Sequence, residues 1–430
     1  MLSDPLVEAA CEGPVVGGML DDDFYTFSMG QPIVLHYGNV EVDYRLTNRN
    51  TNVPLAQELD VDELTATLET LEDDRFKRTE LHYVLGTDEY GDRMFGPAYM
   101  DHLRTLQRPT FGLEETPEGQ LDLRFMGLWS KGIHWEVPGL ASINGLRTRK
   151  SLRGMSRLER DVVIAEGKKR LWEKILEIKK HPGLLVCDFG TRRRAFRAWQ
   201  HYVDQVMAEE LKGQFLGTSN VESAMFHDLL PMGTNAHQKP MIIAALTGGA
   251  ANPDEALLAS QQEMLNIWWA TYGEGLSIGL TDTFGSKAFF RDFLRKQLEQ
   301  WKGFRHDSGD PIAYGEMLIA LYESFGIDPR GKMLIFSDGL DLPTILKLFY
   351  HFRGRIKVSF GWGTNLTNDL GLPTRSLVIK PWYARYVGGT WYSTVKLSDN
   401  IAKAIGDPEE IKRYKRVFGY EETYNVLQTV

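Results

Sequence analysis

Seven short apolar runs alternate with amphipathic helical stretches between residues 184 and 364, and this alternation limits the possible folds more than any other feature of the sequence. Apolar runs that end in turn residues and are followed by helices predict successive βα units, whose strands lie parallel in one sheet. Seven such units are enough to close the sheet into an irregular, seven-stranded α/β barrel of the TIM type. The runs are LLVCDFG, QFLGTSN, LLPMGTNAH, LSIGLTDTFG, KGFRHDSGD, MLIFSDG and IKVSFGWGT.

The part of the chain before these runs is irregular. Strand-like pieces at 40–46 (VEVDYRL) and 121–127 (LDLRFMG) are interrupted by an acidic helical piece at 61–77, which predicts a mixed α/β domain over residues 1–150. A capped amphipathic stretch that starts at Ser156 opens a second domain, the barrel, over residues 151–370. With 430 residues, 43% of them hydrophobic, the chain can bury the two cores that this division requires.

Polar residues gather at the C-terminal end of each run. Because the carboxyl ends of barrel strands meet at one mouth, these side chains would ring a single pocket. The same residue types also cap helices and form βα turns, which is a purely structural explanation for each of them. The residues are Asp188, Asn220, His237, Asp282, Asp307, Asp338 and Thr364.

Arginines at two strand ends indicate an anionic ligand. Three consecutive arginines, 192–194, follow the first run, and Arg305 lies in the fifth. An arginine fork donates two hydrogen bonds to a phosphate or carboxylate, and a helix N-terminus also favours an anion. The three consecutive arginines cannot all face the pocket, and such a run is often only a solvated helix face.

Glycines and aspartates at the same strand ends indicate that the anionic ligand is a phosphorylated sugar. Gly361 and Gly363 would let backbone amides approach a phosphate closely. Asp307, Asp338 and Asp310 could hold a ribose hydroxyl, or a Mg²⁺ carried in by a diphosphate.

Composition excludes several classes of protein. The net charge of -9, with 49 Lys and Arg against 58 Asp and Glu, argues against a general nucleic-acid binder. Cys11 and Cys187 are too few for a disulfide framework and wrongly spaced for a zinc site. No apolar run is long enough to span a membrane, and acids stand where a secretory signal would carry Lys or Arg. We therefore expect a cytoplasmic protein with neither nucleic-acid nor membrane partners.

Several of these motifs together resemble one enzyme family. FGTRRR, GTSNV, GTNAH, LTDTF, RHDSGDP, FSDGLD and SFGWGT occur in the order and spacing of the nicotinate phosphoribosyltransferases, and LDDDFYTFSMGQ (20–31) is similar to the family's N-terminal Asp-x-Tyr segment. The resemblance implies the fold of the type II phosphoribosyltransferase superfamily, in which the C-terminal segment, here 371–430, packs back on the N-terminal domain. It also implies ATP-dependent synthesis of nicotinate mononucleotide from nicotinate and 5-phosphoribosyl 1-diphosphate, the first step of NAD salvage.

The resemblance assigns a transient phosphohistidine to His237, which would be phosphorylated by ATP. An imidazole at a mobile or exposed site, with a pKa near neutral, can take this role. More often a buried histidine only donates hydrogen bonds to the carbonyl groups of loops. Asp307 and Asp338 would hold the ribose as its C1 gains positive charge, and Mg²⁺ would arrive with the diphosphate or with ATP rather than at a metal site of the protein.

The resemblance also implies the binding residues. Tyr25 and Phe189 would sandwich the pyridine ring, with Tyr25 supplied by the neighbouring subunit of a homodimer. Thr234 and Arg305 would bind the nicotinate carboxylate. The implied phosphate- and ribose-binding residues are Arg192, Ser337, Gly361, Gly363 and Thr364.

Two departures from the family pattern and two alternative functions stay open. Thr26 follows Tyr25 where the family usually has Lys, and Gln238 follows His237 where Glu is more familiar. A nicotinamide phosphoribosyltransferase would share the barrel but usually carries an acid at the position of Ser219, so the neutral serine favours nicotinate. A protein that binds phosphoribosyl diphosphate without chemistry is the other alternative.

Overall fold

The computed structural model describes residues 4–89, 91–422 and 424–426, and shows a mixed α/β fold built on one parallel and one antiparallel sheet. Among these residues no helix has the length and apolarity needed to cross a membrane. The strands are β1 (Val40–Asn48), β2 (Asp88–Glu89), β3 (Asp92–Arg93), β4 (Phe111–Glu115), β5 (Leu121–Leu128), β6 (Val186–Asp188), β7 (Phe215–Thr218), β8 (Ile278–Leu280), β9 (Gly303–His306), β10 (Met333–Phe336), β11 (Lys357–Trp362), β12 (Leu377–Tyr386) and β13 (Tyr392–Ser393).

The helices lie around and between these sheets. Those in the first half of the chain are α1 (Pro5–Glu12), α2 (Phe24–His36), α3 (Val61–Asp73), α4 (Arg78–Gly86), α5 (Pro97–Thr105), α6 (Trp129–Gly132), α7 (Glu136–Arg153), α8 (Arg157–Ile178) and α9 (Arg197–Glu210). Those in the second half are α10 (Val221–His227), α11 (Gln238–Leu246), α12 (Pro253–Tyr272), α13 (Ser286–Arg291), α14 (Arg295–Gln300), α15 (Pro311–Ser324), α16 (Leu342–Phe352), α17 (Thr364–Thr367) and α18 (Pro408–Phe418). Short 3₁₀ helices span Leu55–Glu58, Ile133–Trp135, Thr191–Arg193, Thr247–Gly249, Pro329–Gly331 and Ile401–Lys403.

Six of the seven apolar runs form the parallel sheet, whose strand order is β7-β6-β11-β10-β9-β8. The third run, LLPMGTNAH, forms no strand and contributes only one parallel bridge, between Pro231 and Thr218. The prediction of a strand there was wrong, because Pro231 has no N–H to donate to a ladder and Gly233 turns the chain with a φ of 154°. This bridge places the third run beside β7, so the order is that of a barrel open between the third and fourth runs.

The antiparallel sheet joins the two ends of the chain, in the order β13-β12-β1-β5-β4. Strand β12 pairs with β1 over its whole length, from Leu377 opposite Asn48 to Tyr386 opposite Val40. The C-terminal segment therefore returns to the N-terminal domain, as the resemblance implied. Its last helix, α18, instead packs on the barrel side, where Tyr414 and Phe418 contact Phe284.

Local sequence signals explain several element boundaries. Helix α8 begins after Ser156, whose hydroxyl accepts from the Glu159 N–H while the Glu159 carboxylate accepts from the Ser156 N–H, forming a capping box. The predicted strands at 40–46 and 121–127 are β1 and β5, and the predicted helix at 61–77 is α3, which ends earlier, at Asp73. One continuous cluster of buried apolar side chains includes residues of the N-terminal part and of the parallel sheet, so the two parts share a core.

Candidate active site

A cavity of about 180 Å³ lies where the carboxyl ends of the parallel strands meet the N-terminal domain and the C-terminal segment. Ten of the twelve residues to which the resemblance gave a role line it, although they span more than 300 positions of sequence. These are Tyr25, Phe189, Arg192, His237, Arg305, Asp307, Ser337, Asp338, Gly363 and Thr364.

Thr234 and Gly361 lie outside the lining of the cavity. The carbonyl of Thr234 accepts a hydrogen bond from the Ser28 hydroxyl, which ties the third run to α2. A Cβ at Gly361 would stand 2.2 Å from Cδ2 of Phe189. Gly361 therefore makes room for the Phe189 ring, which differs from the phosphate contact that the resemblance implied.

Only four of the seven polar residues at the strand ends line the cavity. His237, Asp307, Asp338 and Thr364 line the cavity, whereas the other three are buried in hydrogen bonds behind it. Asp188 accepts from the Gly190 N–H at 2.7 Å, Asn220 caps α10 by accepting from the Ser223 N–H at 2.8 Å, and Asp282 accepts from the Ser308 hydroxyl at 2.5 Å. Asp310 likewise caps α15. The capping and turn explanation holds for Asp188, Asn220 and Asp310, whereas Asp282 joins the end of β8 to the loop after β9.

The three consecutive arginines do not all face the cavity, as the sequence predicted. Arg192 and Arg193 line the cavity. Arg194 is fully buried and points away, and its two terminal nitrogens each lie 2.6 Å from a carboxylate oxygen of Asp21. Arg194 therefore fixes the N-terminal segment to the barrel and contributes no donor to the cavity.

Sequence reasoning missed a set of cations that line the cavity from outside the barrel. Together with Arg192, Arg193 and Arg305, they bring the lining to seven cationic side chains against three carboxylates. One signal was available, because a lysine inside the apolar strand LVIKPWYARY is rarely buried without a polar reason. The missed cations are Arg49, Lys380, Lys396 and Lys403.

His237 is buried, at 4% exposure, and its imidazole lies within hydrogen-bond distance of three polar side chains. Its Nδ1 lies 3.0 Å from the Thr283 hydroxyl, and its Nε2 lies 2.9 Å from Oδ2 of Asp307 and 3.0 Å from Nζ of Lys396. In one neutral tautomer Nε2 donates to Asp307, and in the other Nε2 carries a lone pair that accepts from Lys396. The second tautomer presents a nucleophilic nitrogen toward the cavity.

The surroundings keep the His237 imidazole neutral. Burial lowers its pKa to about 4, the Lys396 ammonium acts in the same direction, and Asp282 and Asp307 oppose this only in part. The expected exposed imidazole with a pKa near neutral was wrong, because the C-terminal segment covers the third run and places Lys396 on the ring. A neutral imidazole is nevertheless the form that can attack an electrophile.

The two aspartates implied in catalysis are both held by hydrogen bonds. Asp307 accepts from the Ser337 hydroxyl at 2.8 Å, and Asp338 accepts from Nζ of Lys403 at 2.6 Å. Burial alone would raise the pKa of Asp307, but the hydrogen bond to His237 and the charge of Arg305 hold it well below its ordinary value. Asp307 is therefore ionised in the cavity.

The two implied aromatic residues share the cavity of one chain. Phe189 follows β6, and Tyr25 lies in the first turn of α2, with the Arg192 guanidinium 5.6 Å from its ring centre. Gly233 has no side chain, and a Cβ there would stand 3.2 Å from the Tyr25 nitrogen, so the backbone of α2 can pass close to the third run. Tyr25 thus reaches its own barrel, whereas the resemblance implied that a neighbouring subunit supplies it.

Asp23, the acid of the Asp-x-Tyr segment, is a further lining residue, to which the resemblance gave no role. Its Oδ1 accepts from the Ser219 hydroxyl at 2.7 Å, and its Oδ2 lies 3.5 Å from Nε of Arg192. Burial raises the pKa of Asp23 to about 6, against the charge of Arg192. A carboxyl group therefore does lie beside the neutral Ser219.

The acids around His237 do not form an open metal site. His237, Asp282 and Asp307 are the one group among the described residues whose ligand atoms are close enough to share an ion. The Lys396 ammonium lies 3.0 Å from Nε2 of His237 and 3.9 Å from Oδ2 of Asp282, so the protein's own cation already neutralises this group. Asp307 and Asp338 present carboxylate oxygens to the cavity, and such oxygens suit a Mg²⁺ that is shared with a diphosphate.

Comparison with known proteins agrees with this geometry. Residues 184–422 match the model of the nicotinate phosphoribosyltransferase family, and residues 20–144 match the model of that family's N-terminal domain. The chain belongs to the nicotinate phosphoribosyltransferase family. It is accordingly a phosphoribosyltransferase, and the described cavity lies between the two matched regions.

Solved structures share the fold over almost the whole chain. A nicotinate phosphoribosyltransferase from Vibrio cholerae is 29% identical, with a TM-score of 0.82 and coverage of 96% of both chains. One from Porphyromonas gingivalis is 27% identical, with a TM-score of 0.81, over 94% of this chain and all of the other. A Saccharomyces cerevisiae protein, 24% identical with a TM-score of 0.81, shares the fold.

The two departures from the family pattern have structural partners here. The Thr26 hydroxyl donates to Oδ1 of Asp22 at 3.0 Å and is buried, so it holds the segment internally. Gln238 is also fully buried, and its amide donates to Oε2 of Glu136 at 3.2 Å. Neither residue lines the cavity.

Proposed function

We propose that this enzyme forms nicotinate mononucleotide and diphosphate from nicotinate and 5-phosphoribosyl 1-diphosphate, and that ATP drives the reaction through a phosphohistidine at His237. In the transfer, the pyridine nitrogen bonds to C1 of the ribose while the bond from C1 to the diphosphate breaks. The observation that carries the proposal is the cavity itself, which combines an aromatic pair with an excess of cationic side chains.

The cavity suits two anionic substrates. Seven cationic side chains face three carboxylates, and Nε of Arg305 is buried without a hydrogen-bond partner among the described residues. An unpaired buried donor is costly in a folded protein, and a bound carboxylate would satisfy it. We assign the nicotinate carboxylate to Arg305, and the pyridine ring to the space between Tyr25 and Phe189, where stacking supplies affinity.

The remaining charges suit the departure of a diphosphate. Asp307 and Asp338 would face the ribose as C1 gains positive charge, and Lys380, Lys396, Lys403 and Arg49 would face the phosphates. Mg²⁺ held by Asp307 and Asp338 with the diphosphate would neutralise the leaving group. The protein's part is to bind both substrates in line and to exclude water from C1.

The surroundings of His237 support its assignment as the phosphorylated residue. The imidazole is neutral, and its Nε2 faces Lys396 and Asp307 at the cavity. Nε2 would attack the γ-phosphorus of ATP with loss of ADP, and Lys396 would then pair with the new phosphoryl oxygens. Water later cleaves the P–N bond and releases phosphate, and this hydrolysis would draw the condensation forward.

Nicotinate is favoured over nicotinamide by charge. Asp23 beside Ser219 would repel a carboxylate, but Arg192 lies 3.5 Å from Asp23 and Arg305 adds a second guanidinium to the lining. A nicotinamide phosphoribosyltransferase and a protein that only binds phosphoribosyl diphosphate remain the competing functions. A homodimer and a cytoplasmic location also stay predictions, with light scattering as the test of the first.

The test is a product assay with and without ATP. Purified enzyme with nicotinate, phosphoribosyl diphosphate and Mg²⁺ should form nicotinate mononucleotide, and ATP should raise the yield with release of phosphate. Product without any effect of ATP would contradict the phosphohistidine, and absence of product under both conditions would contradict the transferase activity itself.

A further inference from the structure

Glu136 is a fully buried carboxylate just behind the cavity wall, and three different elements donate to it. Its Oε1 accepts from Nζ of Lys380 on β12 at 2.6 Å and from Nη1 of Arg192 after β6 at 3.2 Å. Its Oε2 accepts from Nε2 of Gln238 on α11 at 3.2 Å. Glu136 does not line the cavity, but Lys380 and Arg192 both do.

The orientation of the Gln238 amide is fixed by its other contacts. Its Oε1 accepts from the Tyr44 hydroxyl at 2.6 Å and from the Trp129 indole N–H at 3.3 Å. An indole nitrogen can only donate, so the oxygen of Gln238 must face Tyr44 and Trp129, and its NH₂ must face Glu136. A carboxylate at position 238 would set two buried negative charges against each other.

Glu136 also controls the charge of Lys380. Burial lowers the pKa of Lys380, and the Glu136 carboxylate opposes this shift, whereas Arg192 adds to it. Asp307 acts on Lys380 in the same direction as Glu136, and Asp23 lies 3.5 Å from Arg192. The two cations that contact Glu136 supply positive charge to the cavity wall. Without Glu136, Lys380 would lose its proton more readily and the wall would lose part of this charge.

We propose that Glu136 is a positioning residue for the phosphoribosyl substrate. It holds Lys380 protonated, aims Lys380 and Arg192 into the cavity, and joins them through the Gln238 amide to the helix that starts directly after His237. This inference rests on the proposed function for the identity of the anion, and it requires one carboxylate and one amide at positions 136 and 238.

The test compares Glu136→Gln, Gln238→Glu and the exchanged double variant Glu136→Gln/Gln238→Glu, with the exposed Glu409→Gln on α18 as the control. The readouts are binding of inorganic diphosphate by calorimetry from pH 7 to 9 and the KM for phosphoribosyl diphosphate. Each single variant should weaken diphosphate binding by about 10- to 100-fold, the range for hydrogen bonds to charged groups. In Glu136→Gln the loss should grow as pH rises, because Lys380 deprotonates earlier.

The double variant separates positioning from a structural role. It restores one carboxylate and one amide in reverse order, so it should recover diphosphate affinity and a flatter pH profile. Losses in the double variant equal to the sum of the single losses, or single variants with wild-type affinity at every pH, would overturn the inference. If Glu136→Gln fails to fold, the double variant Glu136→Gln/Lys380→Met takes its place, because it removes both charges of the pair. This variant should bind diphosphate weakly and without the pH dependence. Wild-type affinity in this variant would also overturn the inference.

Calorimetry with diphosphate keeps the two proposals apart. Failure of the wild-type enzyme to form nicotinate mononucleotide would count against the proposed function. The response of diphosphate binding to the exchange at 136 and 238 does not depend on turnover, so it tests the positioning role of Glu136 alone.

Discussion

At the scale of single residues, Arg305 is the clearest determinant of base binding. Its buried Nε lacks a partner among the described residues, and a nicotinate carboxylate would supply one. Loss of a charge-assisted pair from a desolvated site costs about 2 to 5 kcal/mol. Arg305→Ala should therefore raise the KM for nicotinate far more than the KM for phosphoribosyl diphosphate.

Steady-state kinetics with each substrate varied in turn measure this difference. Arg330→Ala is the matched control, because Arg330 is exposed and pairs with Asp328. An unchanged KM for nicotinate in Arg305→Ala would show that the carboxylate lies elsewhere in the cavity.

His237 provides the second prediction at this scale. His237→Ala should lose an acid-labile, base-stable phosphate label from ATP, because His237 lines the cavity with a lysine and a carboxylate at one ring nitrogen. The variant should still bind both substrates, since the aromatic pair and the lining cations remain. Phosphopeptide mapping under alkaline conditions, with the half-buried His227→Asn as control, locates the label. A label on His306 or His227 would refute the assignment.

At the scale of elements, the end of β11 gives a matched pair of glycines. A Cβ at Gly361 would meet the Phe189 ring at 2.2 Å, whereas a Cβ at Gly363 would meet only the Phe189 carbonyl oxygen at 3.6 Å. Overpacking of this kind costs about 1 to 3 kcal/mol. Gly361→Ala should therefore displace Phe189 and raise the KM for nicotinate, while Gly363→Ala should spare the base and affect only the phosphate side.

Separate KM values for the two substrates in both variants test this assignment. Equal effects of the two substitutions on nicotinate would mean that Gly361 does not act through Phe189.

The same scale shows how far the sequence predicts the molecule. Periodicity predicted β6 through β11 because short buried strands that end in Gly, Ser or Asp have few alternatives. It failed in the third run, where Pro231 and Gly233 remove the ladder without changing the apolar pattern. The sequence also did not reveal the cations that come from outside the barrel. Lys380 reaches the cavity because β12 pairs with β1, more than 300 positions away, and no local sequence pattern indicates that pairing.

At the scale of the whole molecule, the position of Tyr25 changes an expectation about assembly. Tyr25 and His237 line one cavity in one chain, so no second subunit is needed to supply the aromatic ring. Mixing inactive Tyr25→Ala with inactive His237→Ala should therefore restore no activity. If sites were shared across a symmetric dimer, exchanged subunits would regain about a quarter of the wild-type rate, because half the dimers would hold one intact site. Subunit exchange is verified by mass measurement of differently tagged chains.

The overall charge of the molecule and that of the cavity have opposite signs, which supports a site for anions. The chain carries a net charge of -9, yet seven of the ten Asp, Lys and Arg side chains that line the cavity are cationic. Such a concentration of like charge costs stability unless an anion binds there, so phosphoribosyl diphosphate should stabilise the enzyme as well as react in it.

The central claim is transfer of a phosphoribosyl group to nicotinate, and the most direct test is a competition between bases. Wild-type enzyme receives equal concentrations of nicotinate and nicotinamide with phosphoribosyl diphosphate, ATP and Mg²⁺, and the mononucleotides are separated and quantified. The account predicts that nicotinate mononucleotide dominates the product. Predominance of nicotinamide mononucleotide, or absence of both mononucleotides, would contradict it.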